Sequence, residues 1–261
     1  MKKRTLTAIT RAVSPSLADC ELTFLARQKI DLAKAVEQHR GYEECLARLG
    51  VSIVRLPAEP YLPDSVFVED AAIVLDELAV ITRPGATSRQ AETESVADAL
   101  SNFRPLKFIQ PPATIEGGDV MRVGRTLYTG LSGRTNREGA SQLRKIVEPY
   151  GYRIETIKTA GCLHLKTGCV YLGHQTILAN RNWINVQQLA GFDLIDVPED
   201  EPGAANTLTI GDTVMAPGGF PKTRGLIEER GFKTQMIEIS ELQKAEAGLT
   251  CLSLIFESDH I

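Results

Sequence analysis

The chain has 261 residues, 43% of them hydrophobic and 24% charged, with a formal net charge of −4. It has apolar surface enough for one large core and lacks the basic footprint that a nucleic-acid partner requires. No apolar run reaches membrane-spanning length, and the basic start MKKRTLTAITRA, interrupted by Thr5, Thr7 and Thr10 and stopped at Arg11, is too short and polar for a signal peptide. Five cysteines, an odd number set mostly in apolar patterns, fit a reduced cytoplasmic protein rather than a disulfide framework.

Along the chain, RTLTAITRA (4–12) reads as a strand, DLAKAVEQHRGYEECLARLG (31–50) as a helix ending at Gly50, and VSIVRLP (51–57) as a second strand. Then one layout recurs in FVEDAAIVLDELAVITRPG from Phe67, IEGGDVMRVGRTLYTG from Ile115, LHLKTGCVYLGHQTILAN from Leu163 and GAANTLTIGDTVMAP from Gly203. Each copy has a polar residue near its opening, an alternating apolar strand, a turn containing Gly or Asp, and a second apolar strand. The run LTCLSLIF from Leu249 repeats only the first half. Starts fall about 40 to 50 residues apart, the period of radially or serially repeated units.

The spacers 86–103, 131–151 and 221–231 carry apolar residues three and four apart, and the last two are followed by the extended pieces YRIETIK and FKTQMIEI. The repeating unit is therefore strand, strand, helix, strand. The first unit is split, its missing strand supplied by LTCLSLIF, so that the two ends of the chain pair. The expected architecture is a single α/β domain over 1–261, a fivefold pseudo-symmetric propeller of ββαβ units with no long open edge. Such a ring can stand alone or pair as a homodimer.

In a ring, the opening residues of the copies converge on the axis, and three of them carry chemistry. Cys251 is a candidate nucleophile, and a cysteine needs a proton-shuttling partner to act as thiolate. His164 occupies the opening position of its copy. His39 falls on the polar face of a charged helix, His174 in the GHQ turn and His260 in the tail, all expected at the surface. Glu116 is the carboxylate that would orient His164, and Gly117 and Gly118 beside it indicate tight backbone. Cys20, Cys45, Cys162 and Cys169 read as small apolar fillers. Cys162, His164 and Cys251 form a conceivable metal set, but the Cys-x-His spacing is weak evidence and no paired CxxC accompanies it.

Two further clusters describe a ligand. PDSVFVED sets Asp64, Glu69 and Asp70 around Val66, Phe67 and Val68, and carboxylates on both sides of an apolar strand suit a cation better than packing. Arg89 and Arg134 each follow a Gly-containing turn, where a guanidinium can clamp a carboxylate with two hydrogen bonds. Acidic pocket and arginine pair together match an amino acid with a cationic side chain.

The strings LPDSVFVED, ITRPGATSR, IEGGDV, RTNREGA, LHLKTG, AAN and LTCLSLIF resemble dimethylarginine dimethylaminohydrolase, of the guanidino-group-modifying superfamily with the fivefold α/β propeller (pentein) fold, and the likeness runs over nearly the whole chain. The resemblance implies Cys251 as nucleophile, His164 as general acid and base, and Glu116 as its carboxylate partner. It implies Asp70 with Glu69 on the guanidinium, Asp64 on the α-ammonium, Arg89 and Arg134 on the α-carboxylate, and Phe67 lining the pocket. Backbone contacts fall to Leu22 in a lid and to Ala245. No cofactor or metal is required, and zinc held by Cys251 and His164 would inhibit.

Where deiminases and amidinotransferases of the superfamily read His-x-Asp, this chain reads His164-Leu165-Lys166, which favours an Nω-methylated arginine, cleaved to citrulline and dimethylamine or methylamine. The chain departs from the pattern at Gln90, where a second arginine is frequent, and around Cys20, Glu21 and Leu22. Two other readings stand beside this one: a hydrolase or deiminase of another guanidino or ureido amino acid, and a non-catalytic propeller used as a binding module.

Overall fold

In the computed structural model, which describes residues 4–259, the alternating segments become short strands that hydrogen-bond in threes. β1 (Arg4–Arg11) runs through α1 (Leu32–Arg48) to β2 (Ser52–Leu56). β3 (Ala72–Val74) and β4 (Ala79–Ile81) are followed by α2 (Thr93–Leu100) and β5 (Leu106–Phe108). β6 (Val120–Val123) and β7 (Thr126–Leu131) are followed by α3 (Arg137–Val147) and β8 (Arg153–Lys158). The one-turn helix α4 (Leu165–Gly168) opens β9 (Cys169–Gly173), β10 (Thr176–Ala179) and β11 (Asp193–Asp196). β12 (Leu208–Ile210), β13 (Thr213–Pro217), α5 (Pro221–Glu229) and β14 (Lys233–Ile237) follow, then α6 (Ser240–Gln243) and β15 (Leu254–Asp259).

The result is a mixed α/β fold of five three-stranded sheets with one layout: β15-β1-β2, β3-β4-β5, β6-β7-β8, β9-β10-β11 and β12-β13-β14. In each, the first pair is antiparallel and the second parallel. Hairpins join the antiparallel pairs of four sheets, and a crossover is needed before each parallel strand. The split sheet is completed by β1 running antiparallel to β15, with Ile9 opposite Leu254, as the sequence pattern requires. In the fourth unit the crossover is only a 3-10 turn, Val186–Leu189, because the segment between β10 and β11 lacks an apolar stripe long enough for a helix.

One feature common to the copies is absent from the sequence reading. Each of the five sheets is entered through a single helical turn: Val68–Ala71, Gly117–Asp119, α4, Pro202–Ala205 and Thr250–Leu252. The strand expected from Leu249 thus begins only at Leu254, and Cys251 sits in the turn before it.

Helix ends follow their capping residues. Asp31 accepts from Lys34 N at the start of α1, and Gly50 takes φ +84° just past its end. Asn136 caps α3 by accepting from Gly139 N at 2.8 Å, and its Oδ1 also takes Thr114 N at 3.1 Å. Apolar faces pack between neighbouring sheets. Leu143 and Val147 of α3 meet Ile73, Val80, Val120 and Leu127, while Val96 and Leu100 of α2 meet Ile9, Ile81, Leu254 and Phe256. Each such side chain contributes about 1.5–3 kcal/mol. Among the described residues no helix is long and apolar enough to cross a membrane.

The expectation of a solvated His39 is incorrect. His39 is 3% exposed, with Nδ1 3.8 Å from Glu43 Oε1. Burial, with the nearby Arg55 charge adding, lowers its pKa to about 4, so the ring is neutral. The polar stripe of α1 faces inward here because Glu43 accepts from Thr10 Oγ1 at 2.6 Å and pairs with Arg55, while Gln38 donates to Ser240 Oγ. His174 is exposed in its hairpin as expected, at φ +47°, and His260 lies outside the described residues.

Loss of the α3 cap tests this local account. Asn136→Ala is expected to cost about 1–2 kcal/mol, read as a lower urea midpoint with an unchanged slope; an unmoved midpoint would show that the cap is dispensable.

Candidate active site

The strand-opening turns bring the polar residues together. Glu116 immediately precedes the turn Gly117–Asp119, His164 immediately precedes α4, and Glu69 and Asp70 lie within the turn Val68–Ala71. His164 Nε2 lies 2.6 Å from Glu116 Oε2, and His164 Nδ1 lies 3.8 Å from Asp70 Oδ1. All three are buried. Asp70, Glu116 and His164 are the one group among the described residues whose donors gather within 4.8 Å, and their mutual pairing accounts for that closeness.

Two glycines allow this approach. A Cβ on Gly118 would stand 2.6 Å from His164 Nδ1 and 2.8 Å from Asp70 Oδ1, and one on Gly117 would overlap the Glu69 carbonyl. Gly118 N also donates to Asp70 Oδ1 at 3.0 Å. The EGGD motif is thus a close-approach device between two parts of the site.

Burial alone would lower the His164 pKa, but the Asp70 charge, the hydrogen bond to Glu116 and the charges of Asp119 and Glu116 outweigh it and raise it above the ordinary imidazole range. Burial would raise Glu116; its hydrogen bond to His164 and the charges of His164, Arg89 and Arg134 reverse that and depress it. The pair is therefore imidazolium and carboxylate at neutral pH. Its linkage runs in opposite senses for the two groups. The histidine contribution to stability is full below the ordinary imidazole range and is lost as pH rises through the raised value. The glutamate contribution is full above the ordinary carboxylate range and is lost as pH falls through the depressed value.

Cys251 is 9% exposed and its Sγ accepts from Gly248 N at 3.4 Å. Burial pushes its thiol up to about 12, the charges of Glu69 and Asp70 adding while Gly248 N and Lys166 oppose. Glu69 Oε2 accepts from Thr250 Oγ1 at 2.7 Å, and its Oε1 takes Lys166 Nζ at 2.5 Å. Asp64 Oδ2 accepts from Glu21 N at 3.0 Å. Phe67 and Ala245 are buried and Leu22 is half-buried against the same core.

The two arginines are not equivalent. Arg89 is 3% exposed and committed: Nη1 to Asp70 Oδ2 at 2.8 Å, Nη2 to Glu92 Oε2 at 2.9 Å, and longer bonds to the carbonyls of Asp64 and Phe67. Arg134 reaches Glu116 at 3.5 Å and Thr23 Oγ1 at 3.4 Å, both weak bonds, and is the freer guanidinium. Arg134 is thus the less committed of the two expected clamps, while Arg89 ties Asp70 in place.

The model of N,N dimethylarginine dimethylhydrolase, eukaryotic, matches residues 22–211. The N(G),N(G)-dimethylarginine dimethylaminohydrolase of Pseudomonas aeruginosa is 40% identical over 250 residues, covering 95% of this chain and 98% of that one. The chain belongs to the dimethylarginine dimethylaminohydrolase family. The enzyme of that name from Streptomyces coelicolor is 37% identical over 248 residues, 95% of each chain. The structure of a cysteine-to-serine mutant of the Pseudomonas aeruginosa protein complexed with citrulline superposes with a TM-score of 0.92 at 38% identity, over 97% of this chain and 100% of that one. An arginine dihydrolase domain from cyanobacteria shares the fold at a TM-score of 0.87 and 19% identity, over 96% of this chain and 97% of that one.

Sequence reasoning missed several polar supports in this member of the dimethylarginine dimethylaminohydrolase family. Asn206 accepts from Thr250 N at 2.9 Å and donates to Thr250 Oγ1, and a Cβ on Gly248 would collide with its side chain. Asn206 thereby fixes the cysteine turn; it stands at the opening of its copy, in the AAN string, which was the available signal. Asp119 accepts from Leu165 N at 2.9 Å and from Ser132 Oγ at 2.6 Å, anchoring the histidine turn. Glu92 and Lys166 carried no local signal of their partners.

Replacing Glu116 by Gln is expected to lower the His164 pKa by about 1–3 units, the range for losing one close opposite charge. Nitrogen NMR of the ring across the titration checks this, and an unchanged imidazolium would refute the assignment of Glu116 as its chief hydrogen-bond partner.

Proposed function

We propose that this protein hydrolyses Nω-methylated L-arginine to L-citrulline and dimethylamine or methylamine through a covalent thiouronium on Cys251. The observation that carries the reading is the buried imidazolium His164, held by Glu116 and Asp70 beside the carboxylates that face the Cys251 thiol. The names of the relatives and the citrulline complex support the same substrate class.

The five sheets are read as a fivefold propeller in one catalytic domain spanning 1–261, closed by β1 and β15. Contacts of β15 with β3, β6 with β9 and β9 with β12 support that reading, since they bring the first strands of successive sheets together. Five free, buried cysteines support a reducing, cytoplasmic setting.

In the mechanism, Asp70 and Glu69 hold the guanidinium with its central carbon over Sγ, Asp64 takes the α-ammonium, and Arg134 with Arg89 takes the α-carboxylate. The leading backbone contacts are those of Leu22 and Ala245, and Phe67 walls the pocket. The arriving cation stabilises the thiolate, and the thiol proton passes to solvent. Sulfur attacks the guanidinium carbon, giving a tetrahedral adduct. His164 gives its proton to the methylated nitrogen, the C–N bond breaks and the amine leaves, producing the thiouronium. Neutral His164 then takes a proton from water. The hydroxide adds to the same carbon, the C–S bond breaks as the added hydroxyl gives its proton to solvent, and citrulline departs with the thiolate and the His164 imidazolium restored.

Two experiments test this. Cys251→Ser is expected to abolish turnover without unfolding, and wild type quenched during turnover should carry a substrate-derived mass on Cys251; a mass on Cys162 instead would overturn the assignment. Methylated arginine is expected to exceed arginine in kcat/KM by roughly 10 to 150-fold, the worth of one charge-assisted hydrogen bond that an Asp at position 166 would have given bare arginine. Equal or better use of arginine, with ammonia released, would make the protein a deiminase instead.

A further inference from the structure

We propose that Glu246 is a positioning residue for this reaction: its carboxylate clasps the backbone of the lid tip and so holds the lid over the amino-acid end of the substrate. The inference rests on the substrate placement argued above. Residues 20–31 form an irregular lid between β1 and α1; Cys20 and Ile30 seat its ends in the core and Leu22 packs against it, but the tip has no such anchor, Phe24 being 51% and Leu25 47% exposed. Its ties are polar. Three consecutive amides converge on Glu246: Thr23 N at 3.0 Å and Leu25 N at 2.6 Å to Oε1, with Phe24 N at 2.5 Å to the same oxygen and Thr23 N at 3.1 Å to Oε2. Such a bonded run of amides is an anion nest, here filled by a side chain from a segment more than 200 residues away in sequence.

The backbone at Glu246 gives a second, independent sign. It takes φ +60°, one of three non-glycine residues with positive φ among those described. His174 and Gln175 occupy an exposed hairpin turn, where that geometry is ordinary. At position 246 a glycine would relieve the conformation, so the side chain is retained at a conformational cost. The turn places Glu246 next to Ala245, and its amide partners begin next to Leu22, so one carboxylate joins the two segments whose backbone faces the substrate. Two other ties run the same way, Asp31 N to Glu241 Oε2 at 2.8 Å and Lys244 Nζ to the Lys29 carbonyl at 3.0 Å, while Glu21 N bonds Asp64 on another segment. Beneath the clasp a cavity of about 390 Å³, lined by Phe24, Leu25, Leu163, Trp183 and Gly248, reaches the loops that carry Cys251 and His164.

Glu246→Gly separates the clasp from a structural role, because it removes the carboxylate and relieves the backbone together. Expected are an unchanged or higher melting temperature, faster hydrogen exchange at the amides of 23, 24 and 25, and a KM for methylarginine raised at least about tenfold, with a smaller change in kcat. Glu246→Gln, which keeps one acceptor without charge, should fall between. Unchanged exchange at those amides would overturn the proposal, as would faster exchange with KM unmoved, since the lid would then not cover the substrate. A wild type that consumes no methylated arginine would sink the functional reading alone, because the exchange measurement needs no substrate.

Discussion

The interaction on which the site depends is the buried ion pair of His164 and Glu116. Taking both charges out of water is expensive, and a buried pair survives only if the remaining donors and acceptors are satisfied. Here they are. The second Glu116 oxygen accepts from Gly85 N at 2.9 Å and faces Arg134, while Asp70 approaches the other ring nitrogen and is itself neutralised by Arg89. The imidazolium is therefore fixed in orientation and charged before any ligand arrives. The absence of Cβ atoms at Gly117 and Gly118 follows from the same pair, because the turn that carries Glu116 must pass within van der Waals range of Asp70, Glu69 and His164.

Repetition of one backbone unit explains how residues far apart in sequence reach one place. Every sheet is entered through a helical turn, and residues in or beside these turns meet across copies: His164 with Glu116 and Asp70, Thr250 with Glu69 and Asn206. Different copies put different chemistry on equivalent backbone: carboxylates in the turn Val68–Ala71, Glu116 and Asp119 around the next, His164 before α4, Asn206 after the turn Pro202–Ala205, and Cys251 in the last. The copies also brace one another. Asn206 holds Thr250, and Thr250 holds Glu69, so the turns Thr250–Leu252 and Val68–Ala71 are set by a single chain of hydrogen bonds.

The strands, hairpins and most helices were legible because burial on one face imposes a period of 2 or 3.6, and four near-complete copies let one correct the next. The helical turns at the openings were not, since three or four residues carry no period. His39 was misread because an amphipathic stripe cannot reveal that Glu43 will find Arg55 and Thr10, partners on other elements. The meeting of Glu116 with His164 was legible through register, whereas Glu92, Lys166 and Glu246 were not. Their roles come from partners such as Arg89, Glu69 and the lid amides, and in the last two cases those partners lie 97 and more than 200 residues away.

The charges around Cys251 are balanced within the protein. Glu69, bonded to Thr250 in the turn that carries Cys251, is paired with Lys166, and Asp70 is paired with Arg89. Cys251, desolvated and flanked by those same carboxylates, holds its proton well above neutral pH. A thiol in that state is a poor nucleophile and a poor target for oxidants, which react with the thiolate. On the proposed function, a guanidinium held by Glu69 and Asp70 beside Sγ would reverse this, because a nearby cation favours the thiolate. The substrate would then supply the field that ionises Cys251. His164, already an imidazolium, would have no need of the thiol proton and would keep its own for the departing amine.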